Sequence, residues 1–287
     1  MTLRLTALAA LVVLVAAGCG GGSSNPSFPV VGAAKTYKLV HFEPSGPVRA
    51  GVPVHVSFTI RQPDGKPLTQ FRTGAGPHTG VHLIMVRRDL STMVHRHPSI
   101  SADGTIGQSV VFPAPGPYRV VVDAYPKVTA SATGSQANFQ LFGSITVKGT
   151  YTPRPIGAFH RTVTVDGYRF TLHGDPTLHA VVPGFLTATV TDPSGKPATF
   201  TPWYGALAHA VFFRRGSLDY FHTHVCAPDA AGCTSVLGGA KVTGTSATPG
   251  KLTIGVLVPV PGTWRLFLQC QVNHRVITAP FTLTVKP

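Results

Sequence analysis

The chain has 287 residues, of which 43% are hydrophobic and only 12% are charged, and its formal net charge is +14. The basic residues are scattered and form no cluster with aromatic side chains, which excludes a nucleic-acid partner. A basic surface of this kind suits anionic lipids or the anionic polymers of a cell envelope. The hydrophobic content is ample for packed cores.

The N-terminal residues predict export and a lipid anchor. Residues 1–18 begin with a positive charge and continue into an apolar run from Leu5 to Ala17, too short for a typical membrane span and suited to a signal peptide. The run ends in Ala-Gly-Cys, which resembles the lipobox of bacterial lipoproteins. Cleavage before Cys19 would leave a lipid-modified (palmitate-bearing) cysteine and a flexible, membrane-anchored tether over residues 19–35. A plain secretory signal is the alternative, and both place the chain in the bacterial envelope, outside the cytoplasm.

The remaining sequence is an internal duplication. Residues 82–98 and 209–225 share the spacing of three histidines and an arginine pair, and PDGKP before the first copy matches PSGKP before the second. We therefore expect two domains, residues 36–150 and residues 156–287, each of ordinary domain size. A short proline-containing linker, TPRP, joins them.

The apolar segments of both domains predict strands. They are short, rich in β-branched residues and bounded by the 31 glycines and 26 prolines of the chain. Such segments predict an all-β protein with two tandem immunoglobulin-like β-sandwiches. Tyr118 and Trp264 follow matching PAPG and PVPG turns, so we expect them at equivalent positions.

The repeated histidines are candidate metal ligands. If each copy is a β-hairpin, its H-x-H pair shares one face, because alternate residues of a strand point the same way. A four-residue loop over residues 87–90 would place His82 opposite His95, with the three ring nitrogens within about 4–7 Å of one another. Neutral imidazoles suit Cu(II), Zn(II) or Ni(II), so we expect a copper or zinc ion in each domain. The candidates are His82, His95 and His97 in the first domain and His209, His222 and His224 in the second.

Four further side chains are weaker candidates. Met93 lies on the face of the first H-x-H pair, and Cys226 continues the alternation of the second pair. His78 lies close to the first hairpin, and His274 follows a strand near the expected mouth of the second domain.

Two cysteines of the second domain could form a disulfide. Cys226 and Cys233 bracket a loop-like segment that a disulfide could close, since disulfides persist outside the cytoplasm. Cys270 alternates with Trp264 along a predicted strand, and we expect it to be a small buried hydrophobe.

The histidines could instead be structural. In that interpretation they bond to backbone carbonyls, and the chain is a non-catalytic structural or protein-interaction module that meets other envelope proteins. The sequence has no nucleophile elbow, P-loop or dinucleotide fingerprint, so we expect no catalytic residues and no enzyme activity. A redox or hydrolytic metalloenzyme is the third alternative.

A family resemblance adds to this interpretation. The first histidine segment followed by FPAPGPYR resembles bacterial secreted and lipid-anchored proteins of the YtkA-like, heavy-metal-associated type. The second copy, with PWYGALAH and PGTWR, is similar to the same group. The resemblance implies an immunoglobulin-like fold, an envelope location and the handling of copper or other metals. The second copy departs from the first at Val225, which stands in place of Pro98, and in its cysteine-bearing insert.

Overall fold

The computed structural model describes residues 34–73, 80–127, 138–225, 227 and 248–287. The regular elements within these ranges are β-strands, and they form two consecutive sandwiches, so the predicted tandem all-β fold is confirmed. No helix in this part of the chain is long and apolar enough to cross a membrane.

The first sandwich packs a four-stranded sheet on a five-stranded sheet. Its strands are β1 (Lys38–Glu43), β2 (Val48–Arg49), β3 (Pro53–Arg61), β4 (Val81–Arg87), β5 (Met93–Arg96), β6 (Ser99–Ile100), β7 (Thr105–Val111), β8 (Gly116–Ala124) and β9 (Phe139–Lys148). The smaller sheet has the order β1-β3-β7-β6 and the larger has the order β2-β9-β8-β4-β5. Among the described strands of this sandwich, β2 and β9 pair in parallel and the other neighbours pair antiparallel.

The second sandwich repeats this arrangement. Its strands are β10 (Thr162–Val165), β11 (Tyr168–His173), β12 (Thr177–His179), β13 (Gly184–Thr191), β14 (Ala208–Arg214), β15 (Tyr220–Val225), β16 (Lys251–Val256), β17 (Gly262–Val272) and β18 (Arg275–Lys286). The sheets have the orders β10-β11-β13-β16 and β12-β18-β17-β14-β15, so the histidine hairpin β14–β15 corresponds to β4–β5.

The two aromatic residues after the proline-rich turns occupy equivalent positions, as predicted. Tyr118 pairs with Arg87 across β8 and β4, and Trp264 pairs with Arg214 across β17 and β14. Each ring is buried, and each donates a hydrogen bond to the carbonyl four residues earlier, at 2.9 Å for the tyrosine hydroxyl and 3.0 Å for the indole N–H. The two sandwiches therefore share this packing feature as well as the strand order of their five-stranded sheets.

A third apolar cluster lies between the sandwiches. It joins Ile84 and Val86 of β4 to Val211 and Phe213 of β14 and to Phe267 of β17. The intervening residues of β4 belong to the core of the first sandwich, so β4 is buried at every position. The outer faces of the two five-stranded sheets are thus packed on each other, and burial of these apolar side chains stabilises the contact.

The hairpin turns begin one residue later than predicted. The backbone N–H of Arg87 donates to the carbonyl of Thr92 at 3.0 Å, so the loop covers residues 88–91 and not residues 87–90. Arg87 stays in the strand because its buried guanidinium donates to the Pro115 carbonyl at 2.7 Å and to Asp89 at 3.1 Å.

This later turn changes the pairing of the histidines but not their common face. Ile84, and not His82, pairs with His95, which corrects the predicted register. In the second hairpin His209 pairs with His224. Both registers shift by an even number of residues from the predicted one, so the three histidines of each hairpin still point to one side of the sheet.

Candidate metal centre

The histidine-bearing faces of the two hairpins meet at the interface between the sandwiches. Ring centroids from different domains lie close together: 4.7 Å for His82 and His222, and 4.9 Å for His95 and His209. We expected a separate site in each domain, whereas the structure brings all six histidines into one cluster. The reason is that the other domain covers the outer face of each hairpin.

Two groups of three imidazoles within the cluster have the geometry to hold a metal ion. One group is His82, His222 and His224, and the other is His95, His209 and His222. In each group the ligand nitrogens lie within 4.8 Å of one another. Each group takes residues from both domains, and only His222 belongs to both.

The sixth histidine, His97, lies beside these groups. Its Nε2 is 3.2 Å from Nε2 of His95, and its ring stacks on Tyr204 with centroids 4.0 Å apart and planes 6° apart. Tyr204 belongs to the second domain and follows Trp203, whose ring makes an edge contact with His95 at 5.4 Å. These two aromatic residues pack against one side of the histidine cluster.

Burial keeps four of the imidazoles neutral. Desolvation, followed by the charges of neighbouring imidazoles, lowers the pKa of His95, His97 and His222. Desolvation also lowers the pKa of His209 to about 3. A neutral imidazole is the form that coordinates a metal, so these four histidines need no deprotonation at ordinary pH.

Hydrogen bonds behind two of the histidines orient their rings. The side-chain N–H of Gln269 donates to Thr278 at 2.9 Å, which turns its Oε1 towards Nδ1 of His95 at 3.1 Å. The carbonyl of Trp203 lies 2.9 Å from Nε2 of His209. Because both partners accept hydrogen bonds, they favour protonation of these nitrogens, which leaves Nε2 of His95 and Nδ1 of His209 as the atoms that could coordinate an ion.

A third histidine, His82, lacks such a hydrogen bond within the described ranges. His82 is fully buried, and neither ring nitrogen has a hydrogen-bond partner among the described residues. Its Nδ1 lies 3.7 Å from Oδ2 of buried Asp123, which accepts hydrogen bonds from Tyr125 and Tyr220 at 3.1 and 3.2 Å. Burying an unsatisfied imidazole is costly, and a metal ion on Nε2 would supply the missing partner. The residues present therefore fit a transition-metal ion held by nitrogen ligands.

Two of the weaker candidates, Met93 and His274, are not part of this arrangement. Met93 is buried in the apolar cluster between the domains, and His274 is exposed at the turn between β17 and β18. Cys270 is a free thiol buried in the second core, as predicted, and burial raises its pKa to about 12. The remaining candidates lie outside the described residues; they are His78, Cys226, Cys233 and Cys19.

Sequence reasoning missed the residues behind the histidines. Asp123 on β8 is the cross-strand neighbour of His82, and Gln269 on β17 is the cross-strand neighbour of His209. The two polar residues therefore occupy equivalent positions in the two domains. Each interrupts an otherwise apolar strand, VVVDA in one domain and LFLQC in the other. Aligning the two copies would have revealed this shared polar position.

Known proteins give little further guidance on this site. No curated protein matches the chain significantly. Among solved structures, it is similar to the tetra-tandem repeat in the extending region of a large adhesion protein, at 11% identity and a TM-score of 0.26, covering 87% of this chain and 49% of that one. Domains 4 and 5 of the S-layer protein SbsC match at 10% identity and a TM-score of 0.25, covering 89% of this chain and 100% of that one. Native E. coli alpha-2-macroglobulin matches at 12% identity and a TM-score of 0.26, covering 91% and 15%.

These scores are too low to carry an argument about fold or function, and the chain spans about half the length of the adhesion-protein repeat. A family model, in contrast, matches the sequence twice, over residues 35–151 and again over residues 163–287. The two matches repeat the duplication read from the histidines and cover most of the chain. On this basis the chain belongs to the family described as Domain of unknown function (DUF8832), of which it carries two copies.

Proposed function

We propose that this chain is an envelope protein that binds a copper or zinc ion between its two domains. The observation that carries the proposal is the buried, hydrogen-bond-free imidazole of His82, which lies in a group with His222 and His224. The resemblance of the histidine segments to YtkA-like, heavy-metal-associated proteins supports the same function.

The donor set favours Cu(II) or Zn(II). Both candidate groups consist of imidazoles alone, and imidazole nitrogens suit these borderline ions, while Cu(I) would prefer an added sulfur ligand. A bound ion would supply Lewis acidity. The protein supplies rigid ligands and a buried position, an arrangement suited to holding an ion tightly.

The position of the site predicts that metal binding stabilises the contact between the domains. Each candidate group contains ligands from both sandwiches, so a bound ion would tie β4–β5 to β14–β15. A ligand that binds only the docked state stabilises it in proportion to RT ln(1 + [L]/Kd), about 2.7 kcal/mol at a hundredfold excess over Kd.

A metal titration of protein without an affinity tag tests the proposal. We expect at least one Cu(II) or Zn(II) ion per chain, with a rise in the thermal midpoint that a chelator reverses. If neither ion binds and the midpoint is unchanged, the histidines are structural residues.

The second candidate function is a metal-free structural or protein-interaction module of the envelope. One observation favours it: the ring of His97 already has interaction partners within the protein, since it lies within hydrogen-bonding distance of His95 and stacks on Tyr204. The same titration separates the two functions, because a module of this kind would show no metal-dependent stabilisation.

We further propose that the chain is attached to the membrane through a lipid on Cys19. The support is the apolar run that ends in Ala-Gly-Cys. We expect palmitate labelling and detergent partitioning of the wild type, and loss of both in Cys19→Ala. Equal partitioning of the two proteins would argue against an anchor. An anchored position would bring the basic surface near anionic lipids, anionic polymers and other envelope proteins.

A further inference from the structure

Each hairpin turn carries two consecutive arginines, Arg87 and Arg88 in the first domain and Arg214 and Arg215 in the second. The two arginines of a pair have different surroundings. The first arginine of each pair is bound within its own turn. Arg87 donates to Asp89 at 3.1 Å, and Arg214 lies 3.6 Å from Asp219. Asp89 also accepts hydrogen bonds from Ser91 and from a backbone N–H of the linker. The acidic groups of both turns are therefore already engaged.

The second arginine of each pair lines a cleft between the domains. Arg88 and Arg215 are exposed, and in the described part of the chain neither guanidinium has an ion pair or hydrogen bond. Together with Arg154 of the linker they line a cleft of about 420 Å³, whose apolar wall includes Leu90 and Ile156. The cleft volume lies within the range of about 300–1,000 Å³ typical of ligand pockets.

A second cleft of about 320 Å³ adjoins the first, since Arg88 and Gly216 line both. It adds Arg119 and the hydroxyl-bearing Ser217. The guanidinium of Arg119 lies over the Phe142 ring at 4.2 Å, and its Nε is buried with no hydrogen-bond partner among the described residues. We call the two clefts together the arginine groove.

Four guanidinium groups line the arginine groove, and their common positive charge favours an anion there. Two acids adjoin the groove, and both are already engaged. Asp89, which also lines the first cleft, accepts hydrogen bonds within its own turn, and Asp219 accepts a hydrogen bond from Ser217 at 2.7 Å. Arginine favours phosphate because its planar fork can donate two parallel hydrogen bonds. We propose that the arginine groove binds a phosphate-type oxyanion, with the apolar wall taking an organic part of the ligand.

Binding of inorganic pyrophosphate and of vesicles containing phosphatidylglycerol, measured with the full chain, tests this proposal. The test variant is Arg88→Gln with Arg215→Gln, which removes one exposed charge from each domain. The matched control is Arg61→Gln with Arg169→Gln, which removes two exposed charges on β3 and β11, outside the groove. Unchanged thermal midpoints would show that both variants fold.

We expect the groove variant to bind at least about 10-fold more weakly than the wild type, while the control stays close to the wild type. Loss of pyrophosphate binding would identify a free phosphate compound as a ligand, and loss of vesicle binding alone would identify a lipid headgroup. Equal losses of binding in the groove variant and the control would show that the probes are held by general charge attraction, and would overturn the proposal. A wild type that binds neither probe would also overturn it.

Discussion

His222→Ala is expected to abolish most metal binding by this protein, with a fall in affinity for Cu(II) or Zn(II) of more than about 100-fold. His222 is the single histidine that belongs to both candidate groups, so its loss leaves neither group complete. Even changes to residues behind metal ligands typically cost about 10–100-fold in affinity, and loss of a ligand should cost more. Calorimetric titration of protein without an affinity tag measures the effect.

His97→Ala is the matched control for this prediction. His97 carries the same side chain in the same cluster but belongs to neither group. We expect its replacement to change the affinity much less than His222→Ala does. Equal losses of affinity in the two variants would contradict the assignment of ligands. A His222→Ala protein that still binds one ion with unchanged affinity would instead support a separate site in each domain.

The sequence predicted the face of the histidines because strand alternation is a local property. The spacing of His82, His95 and His97 places them on one side of the hairpin in every register in which the numbers of two paired residues sum to an odd number. The register itself depended on Arg87, whose guanidinium donates one hydrogen bond to the distant carbonyl of Pro115. Spacing along one hairpin contains no information about such a partner.

What covers the histidine face was not predicted, although β4 contained a signal. VHLIMVR is almost uniformly apolar, a pattern typical of strands buried on both faces, whereas a strand with one solvated face alternates. Its match AHAVFFR in β14 has the same character. Two such faces in one chain can cover each other, but the choice between this contact and a separate partner depends on tertiary packing that periodicity does not describe.

Acid is expected to destabilise the metal-free protein strongly. In the unfolded chain each imidazole takes up a proton near its ordinary pKa of about 6.5, while in the folded chain His209 stays neutral down to a pKa of about 3. Between these pH values the unfolded state binds more protons, so the free energy of unfolding falls as the pH falls. Each imidazole that stays neutral in the folded chain should lower the free energy of unfolding by about 2 kcal/mol between pH 7 and pH 5.

Four imidazoles have lowered pKa values, namely those of His95, His97, His209 and His222. Their combined effect would be a large share of the 5–15 kcal/mol that typically stabilises a domain. Urea unfolding at pH 7 and pH 5 in the presence of a chelator measures this combined effect.

His209→Gln should reduce the difference in the free energy of unfolding between pH 7 and pH 5 by about 2 kcal/mol, because one imidazole no longer titrates. His160→Gln, at an exposed position outside the cluster, should leave the difference unchanged. A wild type equally stable at both pH values would show that the interface takes up protons as readily as the unfolded chain, and that the histidines are not held neutral by burial.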